Sequence, residues 1–225
     1  MASFQVAVKE TDLWISADEK LEKETRDLVF RYRHQIENYI SLHPEFMTSL
    51  HPYHEDPYAS KIVREMIRAT TDIGVGPMAA VAGAVAQFVG QGLLERSDQV
   101  IVENGGDIFM KANRTVTVSV YAGSSPLSEK IGMVITEDRM PLGVCSSSAT
   151  IGHSMSLGKA DVVCLVSSSA LRADGAATVL CNRIHSRKDL EHVAGWADEI
   201  KGIEGGLAVM GDAMATWGNV ELAAL

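Results

Sequence analysis

The chain has 225 residues, of which 46% are hydrophobic and 22% are charged, and its formal net charge is −9. These values are typical of a soluble globular protein that is long enough to bury a well-filled core. The negative charge argues against a sequence-independent grip on a nucleic-acid backbone, and no basic cluster changes that expectation.

The cysteines and the N-terminal residues both favour a cytoplasmic protein. Cys145, Cys164 and Cys181 are odd in number and include no Cys-x-x-Cys pair, a pattern that favours reduced, buried thiols over a disulfide framework or a zinc site. Residues 1–9 lack the basic region and apolar core of a signal peptide. Because we find no linker or internal repeat, we expect residues 1–225 to form a single domain.

The first part of the chain predicts a hairpin followed by a helix and a loop. Apolar residues alternate with polar ones in 4–15, as in an antiparallel hairpin. Ser16 followed by Glu19 is a capping-box pattern, which predicts that a helix begins there, and Pro44 would end it. Residues 43–57 contain three prolines and three histidines. Their spacing fits a loop that overhangs a pocket better than a metal site.

Residues 78–94 are almost entirely apolar and predict a buried helix. About 18 apolar residues would be enough to suggest a membrane span. The residues here are mostly alanine, glycine and valine, however, and Gln87 and Gln91 interrupt the run. Small side chains allow close backbone approach, so we expect a core helix packed on a sheet and no membrane span.

The segment Val100–Lys111 has the pattern of two strands joined by a tight turn. Two apolar runs flank Glu103, Asn104, Gly105, Gly106 and Asp107. The glycines permit positive φ and leave no side chain between the backbone and a ligand. An ordinary Asn-Gly hairpin turn accounts for the same residues, and from this segment alone it is the simpler interpretation.

Further strand patterns follow this hairpin, and the intervening helical patterns would cover the sheet that they form. The predicted strands are 116–120, 131–135, 142–145, 161–166, 207–210 and 214–222. Because successive strands are joined by turns, we expect a largely antiparallel sheet in an α+β fold.

Two later segments carry polar side chains suited to phosphate chemistry. A predicted loop at 145–153 combines Ser146, Ser147 and Ser148, which can hydrogen-bond phosphate oxygens, with His153, which can exchange a proton near neutral pH. A serine-rich turn with an exposed histidine fits these residues equally well. The chain contains no Gly-x-Ser-x-Gly elbow, which disfavours a serine hydrolase.

Asp174 and Thr178 lie four residues apart in a predicted helix and so share one of its faces. A carboxylate and a hydroxyl are hard oxygen donors that suit Mg²⁺, with water and a substrate phosphate completing the octahedron. Alternatively, Asp174 only complements the helix dipole and Thr178 is only a small packing residue.

In their order along the chain, these segments resemble the ApbE superfamily of FAD:protein FMN transferases, and most of all a short branch of it. Residues 104–107 resemble the Asn-x-Gly-Gly-Asp segment that lines the flavin site, with the asparagine displaced by one position. Residues 173–178 resemble Ala-Asp-Ala-x-Ala-Thr, whose aspartate and threonine bind Mg²⁺. Residues 146–148 and His153 resemble a Thr-Ser-Gly segment followed by a histidine.

The resemblance implies an ApbE-like, T-fold-related architecture and a flavin site. It implies Mg²⁺ on Asp174 and Thr178, and His153 as the catalytic acid or base. The residues implied to contact FAD or FMN are Glu103, Asn104, Gly105, Gly106, Asp107, Ser146, Ser147 and Ser148. The implied reaction is FMN transfer to a hydroxyl of an acceptor protein, or to water, which would make the protein an FAD pyrophosphatase.

Two departures from the transferase pattern keep other functions open. Ala82-Gly83-Ala84-Val85 replaces a Lys-Gly-Tyr-Ala-like segment, and residues 154–159 replace an Asp-Pro-x-Thr-Gly segment. A non-catalytic binder of a flavin, a nucleotide or another phosphorylated metabolite is therefore a second hypothesis. A different enzyme acting on a pterin-like or purine-like ligand is a third. Homo-oligomerisation is compatible with all three.

Overall fold

Eight strands form the main sheet of the computed structural model, which describes residues 1–149 and 157–225. The sheet order is β1-β2-β3-β4-β7-β8-β9-β10, and every neighbouring pair is antiparallel. Its strands are β1 (Ala2–Val8), β2 (Thr11–Ala17), β3 (Val100–Asn104), β4 (Asp107–Lys111), β7 (Leu142–Ser147), β8 (Val162–Ser167), β9 (Ile203–Met210) and β10 (Ala213–Gly218). The predicted antiparallel sheet is confirmed.

A second sheet of three antiparallel strands has the order β11-β6-β5. Its strands are β5 (Val116–Ser119), β6 (Ile131–Ile135) and β11 (Glu221–Ala224). This small sheet packs on one face of the large sheet, where Met110, Leu142 and Val144 meet Met133 and Ile135 in a buried apolar cluster. Alternation of side chains along each strand sends the intervening residues to the other face.

Helices cover that other face of the large sheet. They are α1 (Glu22–Leu42), α2 (Glu45–Thr48), α3 (Lys61–Thr71), α4 (Val81–Leu93), α5 (Ala170–Arg183) and α6 (Val193–Asp198). The main core forms between the helices and the sheet and includes Val29 of α1, Ile62 of α3 and Val102 of β3. Helices on one face of an antiparallel sheet make this an α+β fold, as predicted.

Small residues bring α4 close to its neighbours. A Cβ added to Gly90 would lie 2.2 Å from the Phe109 ring, and one added to Gly83 would lie 2.4 Å from the carbonyl oxygen of Ala170. The prediction of a buried core helix in 78–94 is therefore confirmed, with a 3₁₀ turn at Pro77–Ala80 preceding α4. Among the residues that the structure describes, no helix is both long and apolar enough to cross a membrane.

Two sequence predictions about local structure are wrong. Ser16 does not begin a helix, because it lies in β2 opposite Ile101 and its hydroxyl bonds that of Ser3 at 2.9 Å. The alternating burial of Leu13, Ile15 and Ala17 in β2 outweighs the capping pattern, and α1 begins only at Glu22.

Residues 214–222 do not form one strand. The chain leaves the large sheet at Gly218, whose φ is +67°, and enters the small sheet at Glu221. A Cβ at Gly218 would lie 2.4 Å from the carbonyl oxygen of Glu204, so this tight turn requires glycine. The switch between sheets is a long-range feature that the alternation of residues does not reveal.

A candidate ligand cleft beside the small sheet

A cleft of about 1520 Å³ lies between β5 and the face of the large sheet on which the small sheet packs. Residues of β3, β4, β7 and β8 form one wall, and helices α4 and α5 contribute Ala82 and Asp174 to its closed end. Met47, Leu50 and His51 line the same cleft, so the segment 43–57 borders a pocket as predicted, although residues 45–48 form the short helix α2 and not a loop.

Aromatic side chains hold this overhanging segment in place. Phe46 is buried and packs edge-on against Tyr39 and Tyr53. The Tyr53 hydroxyl donates to Glu45 at 2.5 Å, and the Tyr39 hydroxyl donates to Asp56 at 3.1 Å. The rim of the cleft is thereby anchored to α1.

The cleft brings together the residues that the sequence singled out within the described part of the chain. These are Glu103, Asn104, Gly105, Gly106, Asp107, Ser146, Ser147, Ser148, Asp174 and Thr178. The remaining candidate, His153, lies outside the described residues. The structure gives the candidates a common location, and their roles stay predictions.

The glycine pair forms a backbone floor in the cleft. Gly105 and Gly106 have φ values of +63° and +99° and join β3 to β4. The Ser146 hydroxyl donates to the carbonyl of Gly106 at 3.1 Å, and a Cβ at Gly106 would lie 2.7 Å from that hydroxyl oxygen. Ser146 and Ser147 belong to β7, opposite Cys164 and Val163, so the prediction of a loop at these two residues is wrong.

Hydrogen bonds tie this floor to the two helices. The Asn104 amide donates to the carbonyl of Ala82 at 3.1 Å, and the backbone N–H of Gly83 donates to Asp174 at 2.9 Å. A Cβ at Gly83 would lie 3.0 Å from that of Asp174. The floor and both helices therefore form one hydrogen-bonded unit around the Asp174 carboxylate.

Two buried carboxyl groups dominate the electrostatics of the cleft. Burial raises the pKa of Asp107 to about 7, although the Cys145 thiol and the Ser146 amide partly oppose the shift. Burial, and then the charge of Asp107, raise the pKa of Asp174 well above its usual value, opposed by the amides of Gly83 and Ala82. Two nearby carboxyl groups disfavour each other's ionisation. A cation bound between them would favour the ionised form of both.

The oxygen donors of this region fit the preferences of Mg²⁺. Thr178 is half-buried one helical turn after Asp174 and lines the cleft. In the ranges 1–149 and 157–225, no three His, Cys, Asp or Glu side chains cluster into a metal site. An ion held here would thus take much of its coordination shell from water and a bound phosphate, the arrangement that Mg²⁺ commonly adopts.

The ionisable side chains of the cleft wall are mostly acidic. Glu103, Asp107 and Asp174 line it, whereas none of the described lining residues is a lysine or an arginine. A phosphate group entering this cleft would meet acidic side chains and no lysine or arginine from the described residues. A divalent ion would remove that mismatch.

Comparison with known proteins places the chain in a family. A family model described as AbpE bacteria matches residues 1–199. The chain belongs to this family. A UPF0280 protein of Methanocaldococcus jannaschii is 36% identical over 222 residues, covering 96% of this chain and 90% of the relative. A UPF0280 protein of Methanococcus aeolicus is 37% identical, with the same coverage.

Solved structures share the fold of this AbpE family member. The apo form of the Pseudomonas stutzeri flavinyl transferase ApbE superposes with a TM-score of 0.57 at 13% identity, covering 96% of this chain and 93% of that one. The ApbE protein of Thermotoga maritima gives a TM-score of 0.60 at 11% identity, covering 96% of both chains. The predicted assignment to the ApbE superfamily is confirmed, and these structures establish the fold.

Sequence reasoning missed three residues that line this AbpE-family cleft or contact its lining. The backbone N–H of Gly83 donates to Asp174. The sequence feature that could have identified this residue is a glycine within a helix rich in alanine and valine. Cys145 lies beside Asp107, but nothing in the sequence pairs the two. Asn182 also lines the cleft and accepts the backbone N–H of Leu157 at 2.7 Å. Its signal was its spacing of four residues after Thr178 on α5.

Proposed function

We propose that this protein binds FAD in the cleft together with Mg²⁺ and transfers FMN to a hydroxyl group of an acceptor polypeptide. With water as acceptor, the same chemistry would make it an FAD pyrophosphatase. The observation that carries the proposal is the buried Asp107–Asp174 pair, which lies in a large cleft whose described lining contains no lysine or arginine.

This charge pattern supports a metal-dependent phosphate site. FAD carries a pyrophosphate, which Glu103 would repel, as would Asp107 and Asp174 once they are ionised. Asp174 and Thr178 would hold Mg²⁺, and the same ion would favour the ionised form of Asp107, whose charge acts on Asp174. The bound ion would balance the pyrophosphate charge and the charge that develops at the transferring phosphorus.

The floor of the cleft supports an elongated ligand. Gly105 and Gly106 place backbone without side chains along the wall. Asn104 is held by Ala82 and orients the start of this floor. A ligand can therefore lie flat against the β3–β4 turn while its phosphates reach Asp174.

The transfer step exchanges one phosphorus–oxygen bond for another. The acceptor oxygen bonds to the phosphorus of the FMN half, and the bond from that phosphorus to the bridging oxygen breaks, so that AMP leaves. We assign His153 the role of the base that takes the acceptor hydroxyl proton, because it follows the serine segment that lines the cleft.

A non-catalytic binder of a flavin, a nucleotide or another phosphorylated metabolite is the second candidate function. Ala82 and Ala84 stand where the transferases have a lysine and a tyrosine, and this difference favours it. Such a protein would keep the cleft and the metal site without the transfer step.

Incubation of the purified protein with FAD and MgCl₂ tests these functions, with chromatographic detection of FMN and AMP. We expect both products, and we expect Asp174→Asn and Thr178→Val to abolish their formation. Asp98→Asn makes the same charge change at an exposed site outside the cleft and should leave the rate unchanged.

The binding data separate the two candidates. Mg²⁺-dependent FAD binding without FMN or AMP would exclude the pyrophosphatase reaction. If AMP is also not released when a threonine-containing acceptor peptide is added, FMN transfer is excluded and the binder remains. Absence of FAD binding in the presence of Mg²⁺ would contradict a flavin site of either kind.

A further inference from the structure

Strand β5 ends the small sheet, and one of its edges borders the cleft. The sheet order is β11-β6-β5, so β5 pairs with β6 alone. Six consecutive residues, 116–121, line the cleft. The side chains of neighbouring strand residues point to opposite faces of a sheet. A cleft that all six residues line therefore borders the edge of the strand and not one of its faces.

Val120 directly follows β5, and its hydrogen bonds show which way the backbone of this segment points. Its N–H donates to the carbonyl of Ile131 at 2.9 Å, and its carbonyl accepts from the N–H of Glu129 at 2.8 Å. Both groups therefore point towards β6. In an antiparallel pair this orientation recurs at every second residue, and the residues between them point the opposite way.

The backbone groups of Thr117 and Ser119 therefore face the cleft. Within residues 1–149 and 157–225, neither residue makes a backbone hydrogen bond on that side. The segment 116–121 also contains no lysine or proline, residues that commonly block a free strand edge. Exposed strand edges of this kind accept a further strand through main-chain hydrogen bonds.

We propose that β5 binds an extended, non-acidic segment of a partner polypeptide as an added strand. The inference rests on the proposed function, since the segment would belong to the acceptor whose hydroxyl receives FMN. Strand addition would place alternate side chains of the segment inside the cleft and run its backbone past the opening that leads to Asp107 and Asp174.

The size and the charge of the cleft both support this occupant. Small-molecule sites reach about 1000 Å³, and the cleft is larger at about 1520 Å³. It can thus hold a dinucleotide and part of a peptide. Half-buried Glu103 and the absence of lysine and arginine from the described lining disfavour acidic side chains in the segment.

The other free strand edges do not border the cleft. β1 and β10 end the large sheet, and β11 ends the small one. None of their residues lines the cleft in the described structure. A segment bound to those edges would not be brought to the carboxylate pair, so the partner site is assigned to β5.

Amide hydrogen exchange measured by NMR tests the proposal with one defined probe, the peptide acetyl-Lys-Thr-Val-Thr-Val-Thr-Lys-amide. We expect the peptide to slow exchange at Thr117 and Ser119 by at least about tenfold at saturation. Exchange at Val118 and Val120, whose amides face β6, should not change. Equal slowing at all four amides, or no slowing at any of them, would overturn the proposal.

A matched pair of substitutions tests the main-chain contact. Ser119→Pro removes the N–H that faces the cleft, whereas Ser119→Val keeps it and favours a strand. We expect roughly tenfold weaker peptide binding for the proline variant, which corresponds to the loss of about one hydrogen bond, and unchanged binding for the valine variant. Equal affinities would contradict strand addition.

Two modified peptides keep the test independent of how the proline variant folds. One is N-methylated at its threonines and the other at its valines, and only the one that loses the pairing amides should lose binding. Replacement of both lysines by glutamate should also weaken binding. Equal binding of both methylated peptides, or tight binding of the acidic peptide, would refute the inference.

Failure of the two proposals can be distinguished. Formation of FMN and AMP without protection of Thr117 and Ser119 would refute the peptide site and leave the flavin chemistry standing. Protection of both amides without Mg²⁺-dependent FAD binding would confirm the added strand and refute its role as an acceptor.

Discussion

Replacing Asp107 by asparagine should stabilise the metal-free protein at alkaline pH. Burial raises the pKa of this carboxyl to about 7, compared with about 3.9 in an unfolded chain. The folded state therefore binds the proton more tightly, and this group's contribution to stability falls as the pH rises from about 4 through 7. Asparagine keeps the shape and the oxygen that accepts the Ser146 amide at 3.3 Å, without the charge.

The difference between the two pKa values sets the size of the effect. At 1.36 kcal/mol for each pKa unit, Asp107→Asn should raise the free energy of unfolding by about 4 kcal/mol at pH 8 and by about 1–2 kcal/mol at pH 5. Urea denaturation in EDTA at both pH values measures it. Because domains are stable by only about 5–15 kcal/mol, the change at pH 8 would be easily resolved.

Magnesium should narrow the difference in stability between the two proteins. Wild type should gain stability when MgCl₂ replaces EDTA, because the ion binds the folded state, whereas the Asp107→Asn variant should gain much less. Asp98→Asn, at an exposed site, serves as the control for charge removal and should behave as wild type. A variant that is less stable than wild type at pH 8 in EDTA, or a difference that does not change with pH, would refute the reasoning.

Three further results are expected. Gly83→Ala should lower the free energy of unfolding by about 1–3 kcal/mol in urea titrations, because its Cβ would meet the Ala170 carbonyl at 2.4 Å. Gly195→Ala, with nothing within 4 Å, should not do so; equal effects would argue against the close approach. Asn104→Ala should cost about 1 kcal/mol by the same assay, because its bond to Ala82 is lost; an unchanged midpoint would contradict that contact. Titration calorimetry should detect FAD binding with MgCl₂ and at least about tenfold weaker binding in EDTA; equal affinities would contradict the charge argument.

Residue alternation predicted most of the large sheet because its strands bury one face against helices. The strands at 100–111 in the large sheet follow from local patterns, and so do the strand at 131–135 in the small sheet and the buried α4. Ser16 misled the prediction because a capping pattern is local, whereas the β2 pairing that overrides it is not. The pattern of apolar residues likewise does not predict that the chain moves from one sheet to the other after Gly218.

The candidate site was predictable residue by residue but not as an arrangement. The glycine turn and the Asp174–Thr178 spacing each had a simpler local interpretation. Only the fold brings Asp107 near Asp174 and places Cys145 beside them, through strand pairing between β4 and β7 and packing of α5. No spacing rule links these positions, because the contacts depend on tertiary structure. His153 stays a prediction.

The tight packing of α4 also bears on how relatives of this protein should diverge. Gly83 and Gly90 are required by the close approach of Ala170 and Phe109, whatever the cleft contains. A descendant that lost its ligand would still need them, whereas nothing in the packing requires acids at 107 and 174. Among family members, substitution of the two aspartates alongside an intact helix would therefore mark the change of function.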